Sequence, residues 1–467
     1  METCDDMLRN HTDGREGIRF LRKAVLSHKG NPGESHQRLS VAGREANPAR
    51  LFQENLEREN APITSHQRAR ARVASAEDLK QTSSRRIGDR LGLMRACSTL
   101  CAALVIGISL FPAPLHAQFV YAANTGSNDV SAYTIDPRTG ALTPIAGSPF
   151  PAGSAPVSVA VDPSGKFAYV ANFNSSTVSA YTIDPRTGAL TPIAGSPFPV
   201  GSESLFAGSE PLSVAVDPSG RFTYVTNSTG GVSGFMIDSS TGALTAIAGS
   251  PFPSGLFPAS VAVDPSGKFA YVADQFSAPN NISAYAIDPS TGVLSPVAGS
   301  PFPAQPGFPE PVSVAVVPSG RFAYVVNTGS FTVSAFTIEP STGALTAVAG
   351  SPVRTGFVPA AVAVHPSGKF AYVANEGSGD DVSAYTIDPR TGALTAIAGS
   401  PFPAPADSIP ISVAVDPSGK FAYVANFNGA SVSVYAIDPR TGALTTIAGS
   451  PFPAGSAPHS VTITGGH

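Results

Sequence analysis

From residue 119 onward, short apolar segments alternate large and small side chains with a period of two. β-Branched and aromatic residues dominate these segments, and no helical period is present. One complete unit contains four of them: Pro156–Val161, Phe167–Asn172, Val178–Ile183 and Ala189–Gly195. The pattern therefore predicts an all-β protein built from four-stranded sheets.

The first segment of this unit shows how neighbouring sheets are expected to pack. Strict alternation would place Val157, Val159 and Val161 on one side of the sheet, with Ser158 and Ala160 on the other. Large residues of one sheet would then pack against small residues of the next.

Two turn sequences join the strands in every unit. Asp162–Gly165 follows the first strand and Asp184–Gly188 follows the third. Proline sets φ near −65° at the second turn position, aspartate accepts from turn amides, and glycine relieves strain at the exit. Both sequences recur with little change, so we expect one chemically uniform face, here called the turn face.

The unit repeats with a period near 50 residues. A Phe-x-Tyr segment begins at Phe119, Phe167, Phe222, Phe269, Phe322, Phe370 and Phe421. The spacings are 48, 55, 47, 53, 48 and 51 residues. Repeats of this length are typical of solenoids and propellers.

The order of strands at the two ends of the repeat array favours a closed ring. The array starts at Phe119 with a second strand and ends with a first strand, Pro458–Thr464. These ends would complete one blade together, which leaves few exposed sheet edges. A solenoid would need polar capping repeats, and none are present. The sequence thus predicts a seven-bladed β-propeller over residues 119–467.

The chain before the repeats has a different composition. Residues 1–118 hold 18 Lys/Arg and 13 Asp/Glu, whereas the rest holds 11 and 20. Residues 1–93 are polar and Arg-rich, which predicts a disordered or mis-annotated extension without nucleic-acid binding. Residues 94–117 have a basic start, an apolar core and a small residue at the end, as in a signal peptide. We therefore expect an exported protein, periplasmic or extracellular, with no stable membrane span after cleavage.

All three cysteines lie outside the predicted propeller. Cys4, Cys97 and Cys101 all precede the repeats, so neither disulfides nor thiolate metal sites can stabilise the ring. The chain also lacks tryptophan, which excludes propellers built on Trp-Asp repeats.

The repeated units resemble a known family. The segments Phe167–Asn172 and Ile183–Thr191 look like those of seven-bladed propeller lactonases, which include 6-phosphogluconolactonases and carboxymuconate-lactonizing enzymes. Tyr224–Asn227 also resembles the Tyr-Val-Thr-Asn repeats of surface proteins. The resemblance implies the propeller fold and, as one possibility, lactone hydrolysis, a carboxylic ester hydrolase activity.

The loops opposite the turn face differ between blades, and we call this side the variable face. Function is found on loops of rigid scaffolds more often than in uniform turns. The loops that differ most are Glu203–Glu210, Gln275–Asn281, Gln305–Glu310, Arg354–Val358, Glu376–Asp381 and Ala404–Ile409. A small-molecule or protein ligand is therefore expected here.

The candidate ligand-binding residues fall into two groups. Residues that end the second strands form a predicted polar ring: Asn124, Asn172, Asn227, Asp274, Asn327, Asn375 and Asn426. The alternative is that each side chain caps its own turn. Glu210, Glu310, Arg354 and His459 are the other candidates, and no catalytic residue can be carried over from the family.

Charge on the variable face bears on the ligand. Nine acids, Asp129, Glu203, Glu210, Asp274, Glu310, Glu376, Asp380, Asp381 and Asp407, face one predicted cation, Arg354. This balance disfavours a phosphate ester. No cofactor is expected, although Glu376, Asp380 and Asp381 share a loop that could hold Ca²⁺.

Two functions remain open. Catalysis needs different groups in one asymmetric cluster, whereas these blades are close copies, so the sequence favours a monomeric, non-catalytic binding propeller. The alternative is a sugar-lactone hydrolase.

Overall fold

The computed structural model describes residues 118–201, 209–277, 281–305, 307, 309–377 and 379–465. Across these ranges the chain forms strands and turns without a helix, which confirms the all-β prediction. Accordingly, no helix long and apolar enough to cross a membrane occurs among them. The predicted extension (1–93), the predicted signal peptide (94–117) and Glu203 lie outside the described residues.

Within the described ranges the strands form seven sheets, numbered here as blades 1 to 7. The innermost strands of blades 2 to 7 are Pro156–Val161, Pro211–Val216, Pro258–Val263, Pro311–Val316, Pro359–Val364 and Pro410–Val415. The second strands of blades 1 to 7 are Phe119–Asn124, Phe167–Asn172, Phe222–Asn227, Phe269–Asp274, Phe322–Asn327, Phe370–Asn375 and Phe421–Asn426. The third strands are Asp129–Ile135, Thr177–Ile183, Val232–Ile237, Asn281–Ile287, Thr332–Ile338, Asp381–Ile387 and Ser431–Ile437.

Blade 1 is assembled from both ends of the repeat array. Its innermost strand, Pro458–Ile463, pairs antiparallel with Phe119–Asn124. At the seam the Phe119 N–H donates to Oγ1 of Thr464, and the Thr464 N–H donates to the Phe119 carbonyl, both at 2.9 Å. Innermost strands of successive blades contact each other around the whole ring. The predicted seven-bladed closure is confirmed.

The outer edge of each blade differs from the prediction. The fourth strands span three residues each: Leu142–Pro144, Leu190–Pro192, Leu244–Ala246, Leu294–Pro296, Leu345–Ala347, Leu394–Ala396 and Leu444–Thr446. The chain then turns back, and a two-residue fifth strand pairs with the third strand in six described blades: Phe150–Pro151, Phe198–Pro199, Phe302–Pro303, Val353–Arg354, Phe402–Pro403 and Phe452–Pro453. Two residues show no alternation, and for this reason the sequence pattern did not predict this strand.

A bulge at the start of each innermost strand interrupts the alternation of side chains that the sequence predicted. In blade 2 the pairing shifts by one residue between Pro156 and Ser158, and equivalent shifts occur in the other blades. Val157 consequently packs toward blade 3 with Ala160, while Val159 packs toward blade 1. The prediction that Val157 and Val159 share a face is wrong because a bulge places two residues opposite one.

The repeated Phe-x-Tyr segment fastens each blade to the next. In blade 4 the Tyr271 hydroxyl donates to the Gly343 carbonyl of blade 5 at 3.0 Å. Phe269 covers the same glycine so closely that a Cβ at Gly343, whose φ is +74°, would overlap the ring. An equivalent tyrosine–glycine bond joins every other pair of adjacent blades. The repeated Phe, Tyr and turn Gly are therefore one inter-blade contact.

The Asp-Pro turns form as predicted. Oδ1 of Asp162 accepts from the N–H groups of Lys166 and Phe167, both at 2.7 Å, and Oδ2 accepts from the Ser164 N–H at 3.1 Å. Gly165 has φ of +69°. The aspartate thus satisfies turn amides that would otherwise need water.

Serine side chains link neighbouring innermost strands around the channel. In six of the seven described junctions a serine Oγ accepts the N–H of a valine in the next blade at 3.2–3.3 Å. At the seventh junction, between blades 6 and 7, the serine position is Ala361 and the facing residue is Val413.

Candidate functional site

The predicted polar ring lies inside the blades. The six asparagines and Asp274 are at most 1% exposed. Nδ2 of Asn124 donates to Oγ of Ser131 at 2.9 Å, and Nδ2 of Asn426 donates to Oγ of Ser433 at 2.8 Å. Equivalent bonds to third-strand serines occur at Asn172, Asn227, Asn327 and Asn375. These amides hold their own blades together and are covered from the variable face.

Asp274 is the one acid at this ring position. Oδ1 accepts from the Ser254 hydroxyl at 2.5 Å, and Oδ2 accepts from the Ser283 hydroxyl at 2.6 Å. Burial raises the pKa of Asp274, and these hydrogen bonds partly oppose that shift. The carboxyl group is therefore a buried titratable group rather than an open ligand contact.

A second ring lies where the chain enters the innermost strands. The residue before the first proline of each innermost strand has φ between 42° and 54°: Ala155, Glu210, Phe257, Glu310, Val358, Ile409 and Ala457. Its carbonyl accepts an N–H from the loop after the second strand; Glu310, for example, accepts from Thr328 at 3.0 Å. Positive φ disfavours non-glycine residues. The backbone where the chain enters each innermost strand therefore adopts this conformation at an energetic cost.

Glu210 and Glu310 belong to this second ring and are half-buried. Oε2 of Glu210 accepts from the Ser228 hydroxyl at 2.6 Å. Both residues are candidates from the sequence, but the positive φ that they share was not predicted. The x-Pro step at the start of every innermost strand favours extended backbone with negative φ, so this local signal would have predicted the opposite conformation.

His459 is the second residue of the innermost strand of blade 1, at the end nearer the variable face. Its Nδ1 lies 2.9 Å from the Val157 carbonyl of blade 2, and its ring packs edge-on against Phe427 of blade 7 at 6.2 Å. A carbonyl only accepts, so Nδ1 carries the proton and Nε2 is left with a lone pair. Burial lowers the pKa of His459, which keeps the ring neutral at pH 7.

His365 lies on the turn face, where it occupies the position of Asp162 in the equivalent turn. Its Nε2–H donates to the Gly419 carbonyl of blade 7 at 2.8 Å, and its Nδ1 accepts from the Ser367 N–H at 3.0 Å. Both ring nitrogens therefore serve the turn.

Arg354 lies on an outer strand and not on an innermost strand. It occupies the fifth strand of blade 5, pairs with Thr332 and is exposed. The Tyr385 hydroxyl of blade 6 donates to its carbonyl at 2.5 Å. The structure therefore does not bring Arg354 to the channel mouth beside His459.

The predicted Ca²⁺ site does not assemble. Oδ1 of Asp380 accepts the Ile409 N–H at 3.0 Å, while Oδ1 of Asp381 accepts from Nδ2 of Asn375 at 2.6 Å. Burial raises the pKa of Asp381, and the charge of Asp380 adds to this rise. Nowhere in the described part of the chain are three or more His, Cys, Asp or Glu side chains placed to hold a metal ion. The carboxylates, Glu376 included, share a loop without converging.

Comparison with known proteins is consistent with this architecture. A sequence model described as "Lactonase, 7-bladed beta-propeller" matches residues 116–316 and 311–461. No curated protein matches the chain.

Several solved structures share the fold. A putative 6-phosphogluconolactonase of Bacteroides fragilis is 20% identical, with a TM-score of 0.61. A putative 6-phosphogluconolactonase of Bacteroides uniformis and a periplasmic gluconolactonase of Pseudomonas aeruginosa are each 20% identical, with TM-scores of 0.62. Each match covers 75% of this chain and 99% of the other. At this identity the likeness establishes the fold, whereas the family follows from the sequence match: the chain belongs to the lactonase family of seven-bladed β-propellers.

Proposed function

We propose that this protein hydrolyses an uncharged sugar lactone at the channel mouth on the variable face. The family membership and the fold neighbours favour this alternative over the non-catalytic binding propeller that the sequence alone favoured. The observation that carries the proposal is the tautomer of His459, whose Nδ1–H is bonded to the Val157 carbonyl.

A neutral histidine with an available Nε2 can act as a general base. Nε2 removes a proton from water as the hydroxide adds to the lactone carbonyl. The ring C–O bond then breaks, and the same proton passes from Nε2 to the departing ring oxygen. The product is the open hydroxy acid, which ionises in water.

The substrate is expected to carry no phosphate. Glu210 and Glu310 stand at the entrances to innermost strands, while Arg354 is exposed on an outer strand. A phosphate ester needs Lys/Arg contacts or several backbone N–H donors, and carboxylates at the mouth repel it.

The test compares hydrolysis of δ-gluconolactone with that of its 6-phosphate, corrected for spontaneous opening. His459→Ala should lower kcat about 10²–10⁴-fold, the usual contribution of general-base catalysis. Because Ala259 and Ala360 occupy the same strand position, this change should leave the fold intact. The pKa of His459 lies below its ordinary value of about 6.5. Wild-type kcat/KM should therefore be constant above neutrality and fall at lower pH.

The matched control replaces three turn-face arginines, Arg138, Arg186 and Arg440, with serine. Serine is the native residue at the equivalent position of three other turns, at Ser240, Ser290 and Ser341. This control should keep full activity. Undiminished hydrolysis by His459→Ala would exclude His459 as the base, and faster hydrolysis of the phosphorylated lactone would refute the charge argument.

A further inference from the structure

One loop position on the variable face differs sharply between blades. Two residues before the proline of the innermost strand, four blades carry serine: Ser154, Ser209, Ser408 and Ser456. Blade 4 carries Leu256 and blade 6 carries Phe357 instead, with 65% and 60% of their surfaces exposed. Because serine occupies this loop position in blades 1, 2, 3 and 7, the fold does not require a large apolar residue there.

Leu256 adjoins a pair of packed phenylalanine rings, and Phe357 itself packs against another ring. The Leu256 carbonyl accepts the Phe276 N–H at 3.3 Å, and the Phe276 ring packs against Phe257 at 5.2 Å. The Phe357 ring packs edge-on against Phe331 of blade 5 at 5.4 Å. The first cluster therefore lies in the loops of blade 4, and the second lies at the junction of blades 5 and 6.

A groove lies at the junction between them. Its volume is about 290 Å³. Its lining includes Pro303 and Ala304 from the end of blade 4, and Ala347 and Pro352 from the edge of blade 5. Exposed apolar surface thus occurs in the loops of blade 4, in the groove between blades 4 and 5, and at the junction of blades 5 and 6.

The variable-face loops of blades 5 and 6 are acidic. Five carboxylates lie on the variable face of blades 5 and 6 or in the loop that leaves blade 6: Glu310, Glu376, Asp380, Asp381 and Asp407. Arg354 is the cation of this region among the residues described. A partner that covers the apolar clusters therefore meets a negative surface, and positive charge on the partner is favoured.

We propose that the variable face of blades 4 to 6 docks a basic peptide segment, rich in large apolar side chains, of a partner protein. Apolar positions distributed over three blades favour a ligand longer than one small lactone. Stacking on a sugar polymer would use exposed aromatic rings with polar edges, yet all twelve tyrosines are buried. Exposed apolar side chains close to carboxylates are complementary to a peptide that carries Leu or Phe next to Lys or Arg.

The experiment uses the full chain and three labelled synthetic 12-residue peptides: one of Lys, Leu and Phe, one with Glu in place of Lys, and one with Ser in place of Leu and Phe. Fluorescence anisotropy should show binding of the Lys/Leu/Phe peptide, weakened by added salt. Leu256→Ser with Phe357→Ser should weaken binding at least about tenfold, as expected when two interface anchors are removed.

The melting temperature of the double variant checks its fold, which should be unchanged because serine is native to this loop position. The turn-face control, Arg138, Arg186 and Arg440 all to Ser, should bind as the wild type does. Equal binding of the Glu peptide or of the Lys/Ser peptide, unchanged affinity of the double variant, or no binding of any peptide would overturn the proposal.

Discussion

The turn face and the variable face both contain residues with positive φ, but they place different residue types at these positions. On the turn face, the turns that need positive φ place glycine there, as at Gly165 and Gly188. On the variable face, residues with side chains occupy such positions, and every non-glycine residue with positive φ in the described chain lies on this face. Glu210 and Val358 are examples.

The difference between the two faces shows which positions the fold restricts to one residue type. A turn glycine such as Gly343 faces the Phe269 ring and cannot carry a Cβ, so every blade repeats it. The variable-face position accepts Ala, Glu, Phe, Val and Ile in different blades at a cost of about 1–3 kcal/mol each. Strain of this kind is characteristic of functional sites.

Both faces depend on a closed ring, so removing the closure should have the largest effect. Deleting Pro458–His467 removes the innermost strand of blade 1 and its pairing with Phe119–Asn124. The edge of Phe119–Asn124 would then be unpaired, and such edges recruit other chains. We expect aggregation or a large fall in melting temperature, measured by light scattering and calorimetry. A monomeric truncated protein with unchanged melting temperature would contradict the closure.

Two phenylalanines, one on each side of the comparison, should differ widely in their contribution to stability. Phe269 is buried against Gly343, and Phe269→Ala should cost about 3–5 kcal/mol of unfolding free energy. Phe357 is exposed, and Phe357→Ser should change this free energy by less than about 0.5 kcal/mol. Denaturant titration of both variants measures the contrast. Equal costs would show that the variable face is part of the scaffold.

The scaffold could be predicted from the sequence because its physical signals are local and repeated. Strand alternation, the Asp-Pro turns and the order of strands at the two ends were enough for the closed seven-bladed ring. The bulge after Pro156 was missed because one inserted residue leaves no mark in a six-residue alternating segment. The fifth strand was missed because it is two residues long.

The candidate site was harder to predict. The burial of Asn124 and its equivalents depends on how loops of the same blade and its neighbour cover the strand ends, which alternation does not encode. The bond from His459 to Val157 joins residues 302 apart in sequence. Exposure of Leu256 and Phe357 becomes informative only when the blades are aligned and serine is seen at the same position.

Asp274 should give the predicted polar ring a pH dependence that the six asparagines at the equivalent positions cannot supply. Its pKa is raised in the folded state, so the folded protein binds a proton more tightly than the unfolded chain, whose Asp has a pKa of about 3.9. The unfolding free energy of the wild type, relative to Asp274→Asn, should therefore fall as pH rises from about 4 through the raised pKa. It should be constant above that pKa. The six native asparagines at this position make the variant a matched control, and a difference that does not change with pH would contradict the assigned burial.

The smallest expected effect concerns the innermost strands, which run between the two faces. Six junctions carry a serine Oγ that accepts a valine N–H, whereas Ala361 offers no acceptor to Val413. Ala361→Ser should supply the missing bond and raise the unfolding free energy by about 0.5–1.5 kcal/mol, the net contribution of one hydrogen bond. Ser313→Ala removes the bond to Val362 and should lower it by a similar amount. Destabilisation by both variants would contradict the expected gain from Ala361→Ser. It would show that the junction of blades 6 and 7 is too tightly packed to accept a hydroxyl group at residue 361.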